Sequence, residues 1–412
     1  MYIAIMGYGV VGSGVAALIR KNNESIAKNS LQPKMEVKYI LDLRSFPGDP
    51  FENLVISDFT QIVNDDEVSI VVETMGGIHP AYDFVLECLK KGKSVVTSNK
   101  ELVAVKGCEL LKAAKENNAN FLFEASVGGG IPIIRPIHQC LAANEIEEVA
   151  GILNGTTNFI LTKMINESMT FEDALLLAQQ NGYAERDPSA DIDGIDACRK
   201  ICILATLCFG KHVYPESVHT EGIRKISLAD VEYALSWGGA IKLIARAKKL
   251  ESGKVTLSVS PAFVRKSCLL ASTDDVFNAV LIRGNAVGDV IFYGRGAGKF
   301  PTASAVVADV IDCARHIERR KVFGWEEGGE DFIADYRDNE TAFYIRLITS
   351  DKEKTLASLA EVFGETDIIN RSDAPENELA FAIKPVREGD LGEKLASVFA
   401  NEIASVIRIT DY

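Results

Sequence analysis

The chain has little histidine, no closely paired cysteines and no excess of positive charge, and each shortage removes a class of function. Its five histidines, His79, His138, His212, His219 and His316, show no metal-ligand spacing, so a histidine-held zinc site is not expected. The eight cysteines (Cys88, Cys108, Cys140, Cys198, Cys202, Cys208, Cys268 and Cys313) are scattered, mostly among apolar neighbours, with no C-x-x-C pair. They read as buried free thiols of a reducing cytosol, not as a disulfide framework. With a net charge of −14 and no long basic stripe, the chain would repel a phosphate backbone, and no nucleic-acid partner is expected. No apolar run approaches the roughly 20 residues needed to span a bilayer. The opening "MYIAIMGYGVVGSG" lacks the basic start of a secretory leader. A cytoplasmic protein without membrane contact is the expectation.

What is present is ordinary globular composition: 412 residues, 47% hydrophobic and 25% charged, a length that suits two or three domains. Over the first 126 residues short apolar runs alternate with helical stretches. "YIAIM" (2–6), "EVKYILD" (36–42), "VSIVVET" (68–74), "SVVTS" (94–98) and "NFLFEAS" (120–126) read as strands. Residues 11–21, 81–91 and 109–118 read as helices. Continuous β-branched runs separated by amphipathic helices predict a Rossmann-type parallel sheet covered on both faces. From 127 to 301 the pattern becomes α+β, with helices over 155–166, 171–181 and 192–209 and a long strand region over 278–294. An amphipathic helix over 302–320 is placed back on the first domain. The segment 324–340 is polar and acidic, a linker composition, and 341–412 has a βαββαβ pattern of its own.

"GYGVVGSG" sets Gly7, Gly9 and Gly12 in G-x-G-x-x-G spacing, directly after the first strand and at the start of a helix. In that context Gly7 allows the tight turn, Gly9 lets a pyrophosphate approach the backbone, and Gly12 lets helix and strand pack closely. The N–H groups at the helix start, from Val10 and Val11 onward, then face the phosphates. Asp42, at the end of the second strand, is placed to hold the adenosine ribose hydroxyls. Its delay to 30 residues after Gly12 is put down to a polar insertion, "NNESIAKNSLQP" (22–33). Asp42 favours NAD, Arg44 offers a partner for the 2′-phosphate of NADP, and the preference stays open.

The segment "AERDPSADIDGIDACRK" (184–200) carries Glu185, Asp187, Asp191, Asp193 and Asp196, then two basic residues. Asp191 reads as an N-cap and 192–208 as a helix, with Ile195, Cys198, Cys202 and Ala205 on its buried face. Asp196 and Lys200 share a face at i,i+4. Taken alone they fit a surface ion pair worth roughly 0.3–0.5 kcal/mol, and they also fit a site.

The longer stretch "AQQNGYAERDPSADIDGIDACRK" (178–200) resembles, position for position, the signature of homoserine dehydrogenases, with Ala178, Gly182, Tyr183, Asp187, Pro188, Asp191, Ile192, Gly194, Asp196 and Lys200 all in place. "VVETMGG" (71–77), "SNKELVA" (98–104), "EASVGGGIPII" (124–134), "GILNGTTNFIL" (151–161) and "GRGAGKFPTASAVVADV" (294–310) agree in the same order. The resemblance covers 1–320, and the tail resembles the ACT domain often appended to bacterial members. It implies NAD(P)-dependent interconversion of L-homoserine and L-aspartate 4-semialdehyde, on the route to threonine, isoleucine and methionine.

The same resemblance implies roles. Lys200 is the acid/base and Asp196 its partner; burial and a nearby carboxylate pull a lysine's proton affinity in opposite directions. Glu185 binds the substrate α-ammonium with support from Asp191, and Thr156 lines the pocket. Lys100 lies between nicotinamide and substrate. Ser98, Lys100 and Gly298 are implied cofactor contacts. "EASVGGGI" matches a monovalent-cation site, Na⁺ by ligand type, using Glu124 and the carbonyls of Val127, Gly129 and Ile131; a glycine turn held by Glu124 hydrogen bonds is the alternative. One departure is Leu41, where many NADP-preferring relatives carry arginine. Another is Glu353 and Lys354, standing where ACT domains usually have proline and glycine. L-threonine is therefore expected to act weakly if at all, and loss of 341–412 to leave catalysis largely intact. A homodimer or homotetramer is expected. Two rival readings are a thiol-dependent semialdehyde dehydrogenase, which needs an activated cysteine, and a non-enzymatic nucleotide and amino-acid sensor.

Overall fold

The computed structural model describes residues 1–30, 34–319, 321–329, 331–399, 403–410 and 412. The end of the polar insertion (31–33), the last residue of the expected returning helix (320) and positions 400–402 of the tail lie outside the described residues. Contacts group the chain into two units. The first comprises Met1–Ile146, Cys202–Pro215 and Arg283–Gly329; the second comprises Glu147–Ile201, Glu216–Ile282 and Glu330–Tyr412.

The first unit carries a six-stranded sheet in the order Val55–Ile56, Glu36–Leu41, Tyr2–Met6, Val68–Glu73, Ser94–Thr97, Phe121–Leu122. Every pairing is parallel. Its continuous apolar strands are explained by cover on both faces. On one face Ile3, Ile5, Ile70, Val72 and Val96 are fully buried against Val15 and Ala16 of helix Val10–Ser30 and Ala303, Val306 and Val310 of helix Lys299–Arg315. Helices Ala81–Lys90 and Lys100–Glu116 also pack on the sheet. Side chains of this size stabilise a core by roughly 1.5–3 kcal/mol each. The strand order reverses between Tyr2–Met6 and Val68–Glu73, and a ligand crevice opens at the carboxyl ends of such strands.

Several boundaries differ from the sequence expectation. The polar stretch after 21 is not a loop insertion as far as Ser30: it continues the first helix. The strand expected over 120–126 stops at Leu122, and Glu124–Ser126 forms a 3₁₀ turn. The helix expected over 109–118 begins at Lys100, because the Asn99 side chain accepts the Leu102 N–H and caps it there. Helix Lys299–Arg315 starts three residues early, after Gly298 at φ +121.

The second unit holds a mixed sheet running Phe277–Gly284, Ile146–Ile152, Gly239–Lys249, Val255–Arg265, Ile403–Ile409, Glu340–Ile348, Glu378–Arg387, Thr366–Ile369. The long strand region expected over 278–294 is two strands, broken before Gly288, which sits at φ +72. The βαββαβ order of the tail is present, with Phe343, Ile345, Leu347, Leu359, Phe381 and Leu395 as its core. Its last strand runs parallel to Val255–Arg265, pairing Ala262 with Arg408 and Phe263 with Ile409, so the sheet continues into the tail. The acidic segment after 323 has linker composition yet is bonded to its surroundings. His212 N–H donates to Glu326 O, Trp325 Nε1 donates to His212 Nδ1 at 2.8 Å, and Val255 N–H donates to Phe332 O.

Candidate active site

The nucleotide loop meets its geometric requirements in different ways at each glycine. Gly7 sits at φ +93, and a Cβ there would lie 2.9 Å from the Thr74–Met75 backbone. At Gly12 a Cβ would lie 2.0 Å from Gly7 O. A Cβ on Gly9 would meet no protein atom within 4 Å, so this is the glycine whose open side suits a bound group. Val10 and Val11 begin the helix, with Val10 exposed, and their position presents unpaired N–H groups. Gly14, which sequence reading passed over, brings the first helix against helix Lys299–Arg315: a Cβ there would lie 2.8 Å from Lys299 O.

Asp42 follows the second strand immediately. Its Oδ2 accepts the Tyr8 N–H at 2.8 Å and Arg44 Nη2 at 2.8 Å, and its Oδ1 accepts Arg44 N–H and Nε at 3.0 and 2.9 Å. The Arg44 guanidinium holds this carboxyl well below the ordinary carboxylate range, so it is an ionised acceptor at any working pH. Leu41 is buried and points away from solvent. Glu73 was missed, although it lies inside the quoted "VVETMGG". Fully buried, it accepts Thr97 Oγ1 and the N–H groups of Met75 and Gly76, which shapes the strand ends that face the loop. Burial pushes its carboxyl above the ordinary range. Ser98 donates its N–H to Glu73 O, and Lys100 is the first residue of the helix that Asn99 caps.

In the second unit the 184–200 segment is more broken than expected. Asp191 is not an N-cap: it lies within a short helical turn, Ser189–Ile192. Gly194, at φ +83, then interrupts the chain, and the long helix runs Ile195–Phe209. Ile195 is 41% exposed, so it does not belong to the buried face. From Ala197 to Ala205 every residue except Arg199 is buried. Asp196 and Lys200 are therefore inside, at 3% and 7% exposure, with Lys200 Nζ 2.8 Å from Asp196 Oδ2 and 2.8 Å from Leu153 O. That excludes the surface-pair alternative. An ion pair so desolvated is weak evidence for stability, which leaves chemistry as its better explanation.

Asn154 joins this set from the end of strand Ile146–Ile152. Its Nδ2 donates to Asp191 Oδ1 at 2.7 Å and Asp196 Oδ2 at 2.9 Å. Sequence reading quoted its motif and gave it no role. Thr156 is buried, with its hydroxyl donating to Tyr183 O at 2.7 Å. Glu185 is exposed, and its backbone carbonyl accepts Gln179 Nε2. Asp191, Asp196, Lys200 and Asn154 thus form one cluster, with Thr156 and Glu185 on the neighbouring helix and loop.

Glu124 is 3% exposed, and its carboxylate accepts the N–H groups of Ile133, Ile134 and Arg135 at 2.6 to 2.8 Å. A cation at this motif would therefore rest on the backbone carbonyls of Val127, Gly129 and Ile131. The glycines serve a close approach: a Cβ on Gly129 (φ +56) would lie 2.2 Å from Gly296 O, and Gly130 N–H donates to Arg295 O. Among the described residues no group of three or more His, Cys, Asp or Glu side chains could hold a metal ion.

The cysteines bear on the thiol-dependent rival. None of the eight is in a disulfide: Cys88, Cys198, Cys202 and Cys313 are buried, Cys108, Cys208 and Cys268 partly so, and Cys140 is exposed, contrary to the expectation of uniform burial. Burial pushes Cys88, Cys108 and Cys208 up to about 12, the opposite of an activated nucleophile.

Comparison with known proteins agrees with this geometry. The family profile described as homoserine dehydrogenase, NAD binding domain, matches residues 7–124, and that of homoserine dehydrogenase matches 132–311. The homoserine dehydrogenase of Synechocystis sp. is 39% identical over 99% of both chains. The chain belongs to the homoserine dehydrogenase family. It is an NAD(P)-dependent oxidoreductase that interconverts L-homoserine and L-aspartate 4-semialdehyde. The crystal structure of a homoserine dehydrogenase from Thiobacillus denitrificans superposes with a TM-score of 0.87 at 35% identity, covering 100% of this chain and 98% of that one. A hyperthermophilic archaeal homoserine dehydrogenase in complex with NADPH, 31% identical with a TM-score of 0.64, covers 76% of this chain and 96% of its own. Residues beyond 311 lie outside both profiles. No described helix is long and apolar enough to cross a membrane.

Proposed function

We propose that Lys200 is the proton carrier of the reaction and Asp196 the group that holds its ammonium. The observation that carries this is a lysine–aspartate pair buried on the enclosed side of helix Ile195–Phe209, with the ammonium also bonded to Leu153 O. When bound, a nicotinamide cofactor would supply the hydride chemistry, as acceptor toward the alcohol carbon of homoserine and as donor toward the aldehyde. In the first direction Lys200 Nζ, as the neutral amine, takes the hydroxyl proton and becomes the ammonium that Asp196 holds; in the second the ammonium delivers that proton to the developing alkoxide and returns to the amine. Glu185 binds the α-ammonium, Asp191 supports it, Thr156 lines the substrate pocket, and Lys100 meets the substrate carboxylate. The nucleotide is NADP or NAD, held by Gly7, Gly9, Val10, Val11, Gly12, Ser98, Gly298 and the Asp42–Arg44 pair. A monovalent cation such as Na⁺ sits on the carbonyls beside Glu124.

The tail acts as an ACT-like module, a reading supported by its βαββαβ order and antiparallel sheet. Asp351 caps helix Lys352–Phe363 by accepting the Lys354 N–H, so the position that would need a glycine is already ordinary helix. L-threonine accordingly inhibits only at millimolar concentration. The exposed aliphatic residues Ile348, Leu356, Ile368 and Ile403 support pairing into a homodimer or homotetramer, and eight cysteines with no disulfide suit a cytoplasmic enzyme of threonine, isoleucine and methionine synthesis. The test is Lys200→Ala, expected to lower kcat by about 10²–10⁴ with little change in homoserine KM. Retention of more than half the activity would refute the assignment and pass the role to Lys100.

A further inference from the structure

One side chain outside the assigned roles touches both acids of the cluster. Asn154 is 5% exposed and is the N-cap of helix Gly155–Glu167: its Oδ1 accepts the Thr157 N–H at 2.8 Å and the Thr157 hydroxyl at 3.0 Å. That acceptor duty fixes the orientation of the amide, because the cap can only be met by oxygen. The Nδ2 end is then turned to Asp191 Oδ1 and Asp196 Oδ2, at 2.7 and 2.9 Å. Asp196 Oδ2 is the same oxygen that receives Lys200 Nζ. The carbonyl of the preceding residue, Leu153, also accepts from that ammonium, at 2.8 Å. Leu153 and Asn154 together therefore place the lysine and both carboxylates by reference to one strand end.

Resting on the reading of Lys200 and Asp196 as the reacting pair, we propose that Asn154 is a positioning residue for proton transfer. Its two amide N–H groups hold Asp191 and Asp196 at a fixed separation, and the shared Oδ2 aims the Lys200 ammonium. A neutral donor is required at this place. A carboxylate would add a third negative charge beside two others, and a hydroxyl is too short to bridge both acids and keep the cap. Because transfer falls steeply with misplacement of the reacting groups, loss of the bridge acts on kcat.

Two substitutions separate the cap from the bridge. Serine and aspartate cap helices about as well as asparagine, so Asn154→Ser and Asn154→Asp keep the first duty and lose the second. The expected result for Asn154→Ser is a kcat lower by about 10- to 100-fold, nucleotide KM unchanged, and an unfolding midpoint close to the parent's. Asn154→Asp is expected to lose activity similarly and to move the proton-linked limb of the kcat profile to higher pH, since added negative charge favours the protonated lysine. Asn154→Ala, which loses both duties, should match Asn154→Ser in kcat while melting lower. Parental kcat and pH profile in Asn154→Ser and Asn154→Asp would overturn the proposal. So would losses of kcat that simply follow the unfolding midpoint across the three variants. Lys200→Ala run alongside keeps the two readings apart: if it stays active the lysine assignment fails, and if it is inactive while Asn154→Ser is normal, only the role of Asn154 fails.

Discussion

Arg346→Met should destabilise the protein far more than its place on a tail strand suggests. Arg346 donates from Nε to Asp230 Oδ1 at 3.0 Å, from Nη1 to Glu378 Oε2 at 2.9 Å and from Nη2 to Ser227 Oγ at 3.1 Å. Asp230 is fully buried and forms the capping box of helix Leu228–Ser236 with Ser227; Glu378 is 5% exposed. Arg371 Nη2 and Tyr233 Oη also serve Glu378, at 2.8 and 3.0 Å, and the Phe263 and Tyr344 rings stack beside the network at 4.5 Å. Removing one partner of so buried a pair leaves an uncompensated charge, at a cost of about 3–5 kcal/mol. With about 2–4 °C per kcal/mol for a unit of this size, the unfolding midpoint should fall by about 6–20 °C. Calorimetry or denaturant titration reads this directly, and Arg346→Met with Asp230→Asn should recover part of it. A single variant within 1 kcal/mol of the parent would refute the reasoning. The same network revises an expectation drawn from sequence: deletion of 341–412 would strip Asp230 of Arg346 and uncover the strand that pairs with Ile403–Ile409, so the truncated chain should fold poorly.

Three further outcomes follow from named contacts. Gly9→Ala should leave stability unchanged and raise the nucleotide KM, whereas Gly12→Ala, with a Cβ 2.0 Å from Gly7 O, should lower the unfolding midpoint; equal stability of the two variants would contradict the loop's division of labour. Asp42→Ser releases Arg44 and removes a carboxylate, and should raise kcat/KM for NADP⁺ relative to NAD⁺ by at least about tenfold, the scale of one charge-assisted hydrogen bond; an unchanged ratio would place the adenosine ribose elsewhere. Glu221 is partly desolvated, which opposes ionisation, but His219 and Arg408 outweigh that and bring its carboxyl down to about 2. Its contribution is therefore complete above the unfolded value of about 4.3 and lost as pH falls toward 2. Glu221→Gln should flatten the stability profile over that interval, and an unaltered acid limb in urea titrations would count against the assignment.

Much of the site was legible because its chemistry depends on local pattern. The glycine spacing after an apolar strand and the i,i+4 placement of Asp196 and Lys200 both came through to three dimensions. Burial was not legible: the same two residues fit a surface pair until the helix proved to be enclosed from Ala197 to Ala205. The break at Gly194 escaped notice because its reason lies in distant sequence. A Cβ there would lie 3.1 Å from Thr220 Cγ2, and the neighbouring loop comes so close that a Cβ on Gly222 would lie 2.1 Å from Ile192 O. Asn154 was hidden for a similar reason, since the acids it bridges are 37 and 42 residues away. The acidic segment after 323 looked like a linker because composition does not reveal that Trp325 is 9% exposed and bonded to His212.

The most direct test of the account is steady-state oxidation of L-homoserine by the purified full-length protein, with NAD⁺ and NADP⁺ compared as kcat/KM. The account predicts reduced nicotinamide and L-aspartate 4-semialdehyde formed in equal amounts with at least one cofactor, lost in Lys200→Ala and insensitive to thiol-blocking reagents. No turnover with either cofactor, or turnover that survives loss of Lys200 and stops when thiols are blocked, would contradict it.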